Sequence, residues 1–247
     1  TVCADMTRIL VKRQAYRVPS QRIAYQPAHS PLPQGSYRAL AATANSFARE
    51  SHMDEMARLA RADPLAFRLD HLDDERLATI LRRAADRIGW DRHDEQPAGH
   101  GLGLACGSEK GGRVATAAEV RVDDDGTLHV LRLVTAFDCG AVIDPANLAN
   151  QVEGATVMGL GGALFEQVDF ADGVIRNASL AQYRVPRLPD VPPVEAILID
   201  RPDQPSAGGG ETPLIAVAPA LANAIRAAAG TRIRSLPLAP NGKISRA

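Results

Sequence analysis

The pattern of hydrophobic and polar positions divides the chain into an unpatterned start, a helical part and a part with strand periodicity. Residues 1–35 hold four prolines and no sustained period, which predicts an extended segment. Such a segment has no apolar face of its own to bury, so we expect it to lie against polypeptide outside this chain. The predicted order continues with a helical segment over 36–90, a charged, glycine-rich connector over 91–103, a strand-containing segment over 104–240 and a tail over 241–247.

Three helices are predicted in the helical segment. The first starts near Ala39 in an alanine-rich stretch with apolar residues spaced for one face. Asp63 and Pro64 supply an N-cap and a first-position proline for the second. The third runs from about Asp74 to Ile88 and ends at Gly89.

The apolar period changes to two from residue 118 onward. Alternation over 118–122, a turn over 123–126 and resumed alternation over 128–134 predict a hairpin. Asp144 and Pro145 open a helix whose small-residue run, 154–163, requires a closely approaching neighbour because glycine disfavours a helix. The remaining predicted elements are a hairpin turning at 171–173, a strand over 194–199 and a helix over about 216–229 capped by Gly230. Hairpins and helices without a βαβ rhythm indicate an α+β fold.

Composition excludes several functional classes. The chain has 28 Lys and Arg against 29 Asp and Glu, a net charge of −1 that leaves no field to attract nucleic acid. Three cysteines without CxxC spacing argue against a disulfide framework and a structural zinc site. No apolar run approaches the roughly 20 residues that span a bilayer, so no membrane span is expected. The start does not read as an export signal, which favours the cytoplasm, with the periplasm as the alternative if an upstream part carries such a signal.

The loop Gly208-Gly209-Gly210-Glu211 is the feature best suited to chemistry. Three glycines let a bulky ligand approach the backbone, and the carboxylate that follows stands at a fixed point before a helix. Glu211 is therefore a candidate general base. The alternative, which the local sequence alone favours, is a flexible turn with a solvated carboxylate near a helix start.

Three other features have structural interpretations. Arg38, after a glycine turn, could form an anion cradle at a helix start, but a surface arginine is the favoured interpretation of that motif alone. The segment from Gln151 to Ala155 and its downstream glycines indicate close packing of a helix on a sheet. Cys139 is interpreted as a buried structural thiol. The histidines lack paired ligand spacing, so protein-ligated zinc is not expected.

Taken in order, these pieces resemble the C-terminal part of the large subunit in the molybdenum hydroxylase family, which includes xanthine dehydrogenase and aldehyde oxidase. Within that family, the nearer resemblance is to the branch that contains the isoquinoline 1-oxidoreductase beta subunit. It covers about residues 36–238 and is carried by the AFDCG strand end, the QVEGA helix and the GGGETP loop. It implies a molybdenum-cofactor-binding domain with mixed sheets, hairpins and packed helices.

The resemblance implies roles for three residues. Glu211 takes the place of the catalytic glutamate beside the molybdenum, Arg38 falls in a loop against the molybdenum ligands, and Gly210 supports the same face. No residue of this chain is implied as a metal ligand. The implied reaction is hydroxylation of an N-heteroaromatic or aldehyde carbon with oxygen drawn from water. Thr7 stands where the purine enzymes carry a substrate-clamping arginine, which disfavours a purine substrate.

The resemblance also implies partners. The family's Gly-Gln-Gly and Gly-Gly-Phe-Gly-like segments are not found in this sequence. The molybdenum–molybdopterin cofactor, in its cytosine dinucleotide form, is therefore expected to be held largely by the N-terminal half of the molybdenum subunit. Three cysteines are too few for two-iron two-sulfur clusters, which are expected on a partner subunit. The alternative function is a non-catalytic α+β binding or assembly module, but the carboxylate after three glycines favours the enzyme.

Overall fold

The fold, taken from a computed structural model, is described for residues 15–20, 22, 32 and 35–244. In the described residues, three helices are followed by three strands, a fourth helix, three further strands and a last helix. The helices are α1 (Leu40–Leu59), α2 (Pro64–His71), α3 (Glu75–Ile88), α4 (Pro145–Leu164) and α5 (Val217–Ala229). The strands are β1 (His100–Glu109), β2 (Gly112–Val122), β3 (Leu128–Asp138), β4 (Phe170–Ala171), β5 (Val174–Ile175) and β6 (Val194–Leu198). Short 3-10 turns span Trp90–Glu95, Leu188–Asp190 and Thr212–Leu214.

A four-stranded mixed sheet is the centre of the fold. Its strand order is β1-β2-β3-β6, antiparallel between the first three strands and parallel between β3 and β6. Side chains at alternate positions of β2 belong to two apolar cores on opposite faces of the sheet. Val114 and Ala118 face α4 and α5, whereas Ala115 and Ala117 face α3. Helices therefore cover both faces of the sheet, and the predicted α+β class with mixed sheets is confirmed.

Helix α5 lies directly on β1 because β1 carries glycines. A Cβ at Gly103 would stand 2.2 Å from the Ala224 nitrogen, and one at Gly101 would stand 2.4 Å from the Ala224 oxygen. The stretch Thr212–Ala229 is long and apolar enough to cross a membrane by length and composition, but 78% of it is buried in this packing. Its apolar character is that of a core helix.

The connector predicted over 91–103 ends earlier than expected. Strand β1 begins at His100, so Gly101 and Gly103 belong to a strand, where they admit α5. The predicted helices and both hairpins are present, the second as the two-residue strands β4 and β5. The tail is also bonded to the rest of the fold, since the Ile244 amide donates to the Gly126 oxygen at 2.9 Å.

A described part of the proline-rich start, residues 15–20, is packed on this chain, whereas the sequence predicted that the start lies against polypeptide outside it; most of residues 1–35 lies outside the described residues. Tyr16 is 5% exposed and pairs with Leu72. Its hydroxyl donates to Glu50 Oε2 at 2.8 Å and lies 3.3 Å from Cys106 Sγ. Glu50 and Arg68 form a fully buried ion pair, which needs such further polar partners. Thr7 lies outside the described residues.

Candidate functional site

The glycine loop is anchored at its first end to the end of β3. The Ala207 amide, just before the loop, donates to the Cys139 oxygen at 2.7 Å. Gly140 adopts φ +85°, and a Cβ there would stand 2.2 Å from the Pro205 oxygen, so a side chain would push away the segment that leads into the loop. Cys139 is buried, as predicted, and burial raises the pKa of its thiol.

Asp138 ties this strand end to two other parts of the chain. Its fully buried carboxylate accepts from Arg201 Nε at 2.6 Å, from the Gly140 amide at 2.9 Å and from the Arg76 guanidinium. Burial by itself raises the pKa of Asp138, but the bonds from Arg76, Gly140 and Arg201 outweigh it and hold the pKa below its ordinary value. The carboxylate thus stays ionised at neutral pH and fixes the turn that carries the loop.

The second end of the loop is anchored to the turn between β1 and β2. Thr212 Oγ1 donates to the Glu109 oxygen at 2.7 Å. Lys110, in the left-handed region at φ 47°, places its ammonium 2.6 Å from Glu211 Oε2. The Glu211 side chain is 32% exposed, so it stands at the rim of the fold rather than inside it. Its Oε1 atom has no hydrogen-bond partner within the described part of the chain.

Arg38 holds the middle of the loop. Its Nε donates to the Gly210 oxygen at 2.7 Å, and its own carbonyl accepts from Thr43 Oγ1 at 2.8 Å. The next two residues, Ala39 and Leu40, have φ of 65° and 51°, a left-handed conformation that costs non-glycine residues roughly 1 kcal/mol or more each. Burial of Ala39 and the bond from Arg38 to the loop hold this strained start of α1 in place.

Helix α4 forms the wall behind the loop. Gln151 Nε2 lies 3.5 Å from the Gly209 oxygen, and a Cβ at Gly209 would stand 2.7 Å from Leu148 Cδ1. The close approach predicted from the small-residue run of this helix is found at Gly159, Gly161 and Gly162, which face other elements than the sheet, whereas Gly154 has open space around it. Gly159 faces Val217 at the start of α5, and Gly161 faces Pro186.

The three residues to which the resemblance gives roles, Arg38, Gly210 and Glu211, therefore meet in one place. Sequence reasoning missed Lys110 and Asp138, which hold the loop from outside. A lysine directly before two glycines signals a tight charged turn, but its position beside Glu211 depends on β1, which was not predicted as a strand. Within the described ranges, no group of three or more His, Cys, Asp or Glu side chains is placed to hold a metal ion.

Comparison with known proteins gives the class of this domain. Residues 83–192 match the molybdopterin cofactor-binding domain family. The chain is 35% identical over 229 residues to the beta subunit of isoquinoline 1-oxidoreductase from Brevundimonas diminuta, a match that covers 92% of this chain and 29% of that protein. It is 31% identical over 226 residues to a subunit of nicotinate dehydrogenase from Pseudomonas putida, a match that covers 85% of this chain and 19% of that protein.

A solved structure shares the fold. Quinoline 2-oxidoreductase from Pseudomonas putida 86 superposes with a TM-score of 0.75 at 13% identity, over 85% of this chain and 52% of that chain. The fold and the matched region thus define a molybdopterin cofactor-binding domain. The chain belongs to the molybdenum hydroxylase family, and the resemblance to the isoquinoline 1-oxidoreductase beta subunit is confirmed. It spans less than a third of the length of the two relatives named above.

Proposed function

We propose that this chain supplies the catalytic carboxylate and one wall of the site in a molybdenum hydroxylase. The observation that carries the proposal is the meeting of Arg38, Gly210 and Glu211, since Arg38 bonds to a carbonyl 172 residues along the chain and directly before the candidate base. The names of the relatives and of the structural neighbour cite isoquinoline, nicotinate and quinoline, all N-heteroaromatic compounds. They support an N-heteroaromatic substrate, with an aldehyde as the second choice.

The residues around the loop fit an anionic, metal-bearing cofactor. Open space surrounds the positions where a Cβ would stand on Gly208 and Gly210, so the backbone there is accessible to a ligand. Lys110 places a cation against the Glu211 carboxylate, and Arg38 places a second one against the Gly210 carbonyl; the terminal nitrogens of Arg38 have no partner within the described residues. Arg38 and Gly210 would hold the near side of the cofactor. Polypeptide outside this chain would hold the rest, including its cytosine dinucleotide.

When bound, the molybdenum cofactor supplies oxygen drawn from water and accepts two electrons. Glu211 accepts a proton as the general base, and Oε1 is the oxygen that is free to do so. Lys110 fixes the other carboxylate oxygen, and Arg38 fixes the residue directly before the base through the Gly210 carbonyl. Both contacts restrict the carboxylate to one position, which favours proton transfer because alignment is set before reaction.

The proposed reaction releases two electrons, which a partner subunit has to accept. A substrate C–H and one water give C–OH, two protons and two electrons, and the electrons have to leave the site. Two-iron two-sulfur clusters on a partner subunit would take them. The names of the relatives describe them as subunits, which supports a multi-subunit enzyme.

A non-catalytic assembly module is the second candidate. The ion pair between Lys110 and Glu211 favours it, because a paired carboxylate at the rim of the fold needs no catalytic role. Turnover assays of the complete enzyme distinguish the two candidate functions. The assays use isoquinoline, an aromatic aldehyde and xanthine as substrates in ¹⁸O-labelled water. The hydroxylase predicts labelled product from isoquinoline or the aldehyde and little from xanthine. A molybdenum-loaded preparation that turns over neither of the first two supports the assembly module instead.

A further inference from the structure

We propose that an apolar face beside the candidate site receives the remaining polypeptide of the molybdenum subunit. This apolar face consists of a cavity of about 320 Å³ between α1 and α4 and of the exposed segment 167–188 next to it. The inference rests on the proposed function, because it names the surface through which the site is completed.

The cavity has apolar walls and opens to solvent. Leu40 and Leu214 line it from the start of α1 and from the turn after Glu211, and Leu236 closes another side. Gly162 gives it depth, because a Cβ at that position would come within 2.6 Å of the Tyr37 hydroxyl. An open apolar cavity of this size is typical of a place where another molecule inserts a side chain or ring.

One carboxylate on the cavity wall lacks a cationic partner. Glu166 accepts from the Tyr183 hydroxyl at 3.2 Å, and no lysine, arginine or histidine in the described part of the chain forms an ion pair with it. Glu166 is half-buried, and this burial raises the pKa of its carboxyl. A donor from outside the chain would satisfy it.

The exposed segment beside the cavity is unusually apolar. Fourteen large apolar side chains are exposed in the described residues, and seven of them lie between Val168 and Leu188. Leu180 and Leu188 are 95% and 90% exposed. The segment leaves the core after Glu166 and returns where Tyr183 and Pro186 reach α4, so its two ends frame the cavity. A concentration of exposed apolar side chains in one segment is typical of an interaction site.

Two observations identify the occupant. The chain spans 29% of one relative and 19% of another, so most of the polypeptide of a related subunit has no counterpart in it. The apolar face also continues into the candidate site, because Tyr37 precedes the arginine that holds the Gly210 carbonyl. We infer that polypeptide that completes the site passes over this face. We expect it to insert a branched or aromatic side chain into the cavity and to offer Glu166 an N–H group or a cation.

Hydroxyl-radical footprinting of the complete molybdenum subunit and of the 247-residue chain alone tests the assignment. Oxidation of Leu180, Leu188 and Tyr183 is expected to be at least fivefold lower in the complete subunit. Leu59, which is 78% exposed on α1, is the internal control and is expected to react equally in both. Equal oxidation of the apolar face in the two preparations overturns the proposal. Protection that grows with the concentration of the chain alone, or that requires added isoquinoline, also overturns it, since a second copy or a small molecule is then the occupant.

A matched pair of variants of the complete subunit sharpens the test. Leu180→Glu combined with Leu188→Glu is expected to raise oxidation of Tyr183 towards the level of the isolated chain, because charge opposes burial of the face. Leu59→Glu is expected to leave it unchanged, and an equal effect of both overturns the proposal. Glu211→Gln separates this inference from the proposed function, because it is expected to lower turnover roughly 10²–10⁴-fold and to leave the footprint intact. An enzyme that keeps its turnover without a footprint refutes the docking alone.

Discussion

Replacing Asp138 with asparagine tests whether one buried carboxylate holds the frame of the candidate catalytic loop. Asparagine keeps the volume and one acceptor for the Gly140 amide, but it removes the charge that Arg76 and Arg201 surround. Removing one partner of a buried ion pair costs roughly 3–5 kcal/mol. The Arg76 and Arg201 side chains are 21% and 29% exposed and can be partly rehydrated, which places the expected loss at about 3 kcal/mol, the lower end of that range.

Urea unfolding of the chain measures this loss. With a slope near 3 kcal/mol/M, which suits a chain of this length, the midpoint is expected to fall by about 1 M. Asp123→Asn is the matched control: Asp123 pairs with Arg121 and His129, but its side chain is 40% exposed, so this change is expected to shift the midpoint little. A midpoint for Asp138→Asn that coincides with that of the control shows that the buried Asp138 carboxylate does not stabilise the fold.

The same carboxylate predicts a dependence of stability on pH. Because the folded-state pKa of Asp138 lies below its ordinary value of 3.8, the unfolded chain binds this proton more tightly than the folded chain. The stabilisation is present above the ordinary value and is lost as the pH falls through the lowered folded value. Asp138→Asn should therefore lose less stability than the wild type between pH 5 and pH 3, and parallel losses would contradict the assignment.

Three further predictions concern packing and metal content. Tyr16→Phe removes the hydroxyl that Glu50 accepts, and is expected to cost about 1–2 kcal/mol in urea unfolding; no loss would show that the start does not pack. Gly103→Ala places a Cβ against the backbone of α5 and is expected to lower the free energy of unfolding by about 3 kcal/mol or more. Gly154→Ala, with open space around it, is expected to raise that free energy by about 0.5–1 kcal/mol. Thermal unfolding that shows the reverse order of stability contradicts the packing. The chain expressed alone is expected to contain no molybdenum, and stoichiometric metal by elemental analysis would show that the site is not shared.

Most of the fold follows from local patterns, and the exceptions have packing causes. Asp63, Asp74 and Asp144 each accept from a backbone amide of the helix that they cap, as predicted for residues of this type at a helix start. Strand β1 was not predicted, because glycines such as Gly103 interrupt its alternation of apolar and polar residues. These glycines are required by the close approach of the α5 backbone, which lies about 120 residues further along the chain. Local propensity carries no information about such a neighbour.

The candidate site could be predicted only in part. The glycines and the carboxylate of the Glu211 loop identify a candidate site in the sequence, although the local sequence alone favours a flexible turn with a solvated carboxylate. The bond from Arg38 to the Gly210 carbonyl joins distant parts of the chain, and local sequence favoured a surface arginine. The ion pair from Lys110 depends on the register of β1 and β2, which sets where their turn lies. Such contacts are properties of the assembled fold.

Paired measurement of turnover and molybdenum content in Glu211→Gln tests most directly whether Glu211 is the general base. The amide keeps nearly the same volume and can still bond to Lys110, but it does not accept a proton. Glu195→Gln, which breaks a surface ion pair with Arg87, is the control. In the complete enzyme, Glu211→Gln is expected to bind molybdenum like the wild type and to turn over roughly 10²–10⁴-fold more slowly. A fully molybdenum-loaded Glu211→Gln enzyme that keeps more than about a tenth of wild-type turnover shows that Glu211 is not the general base.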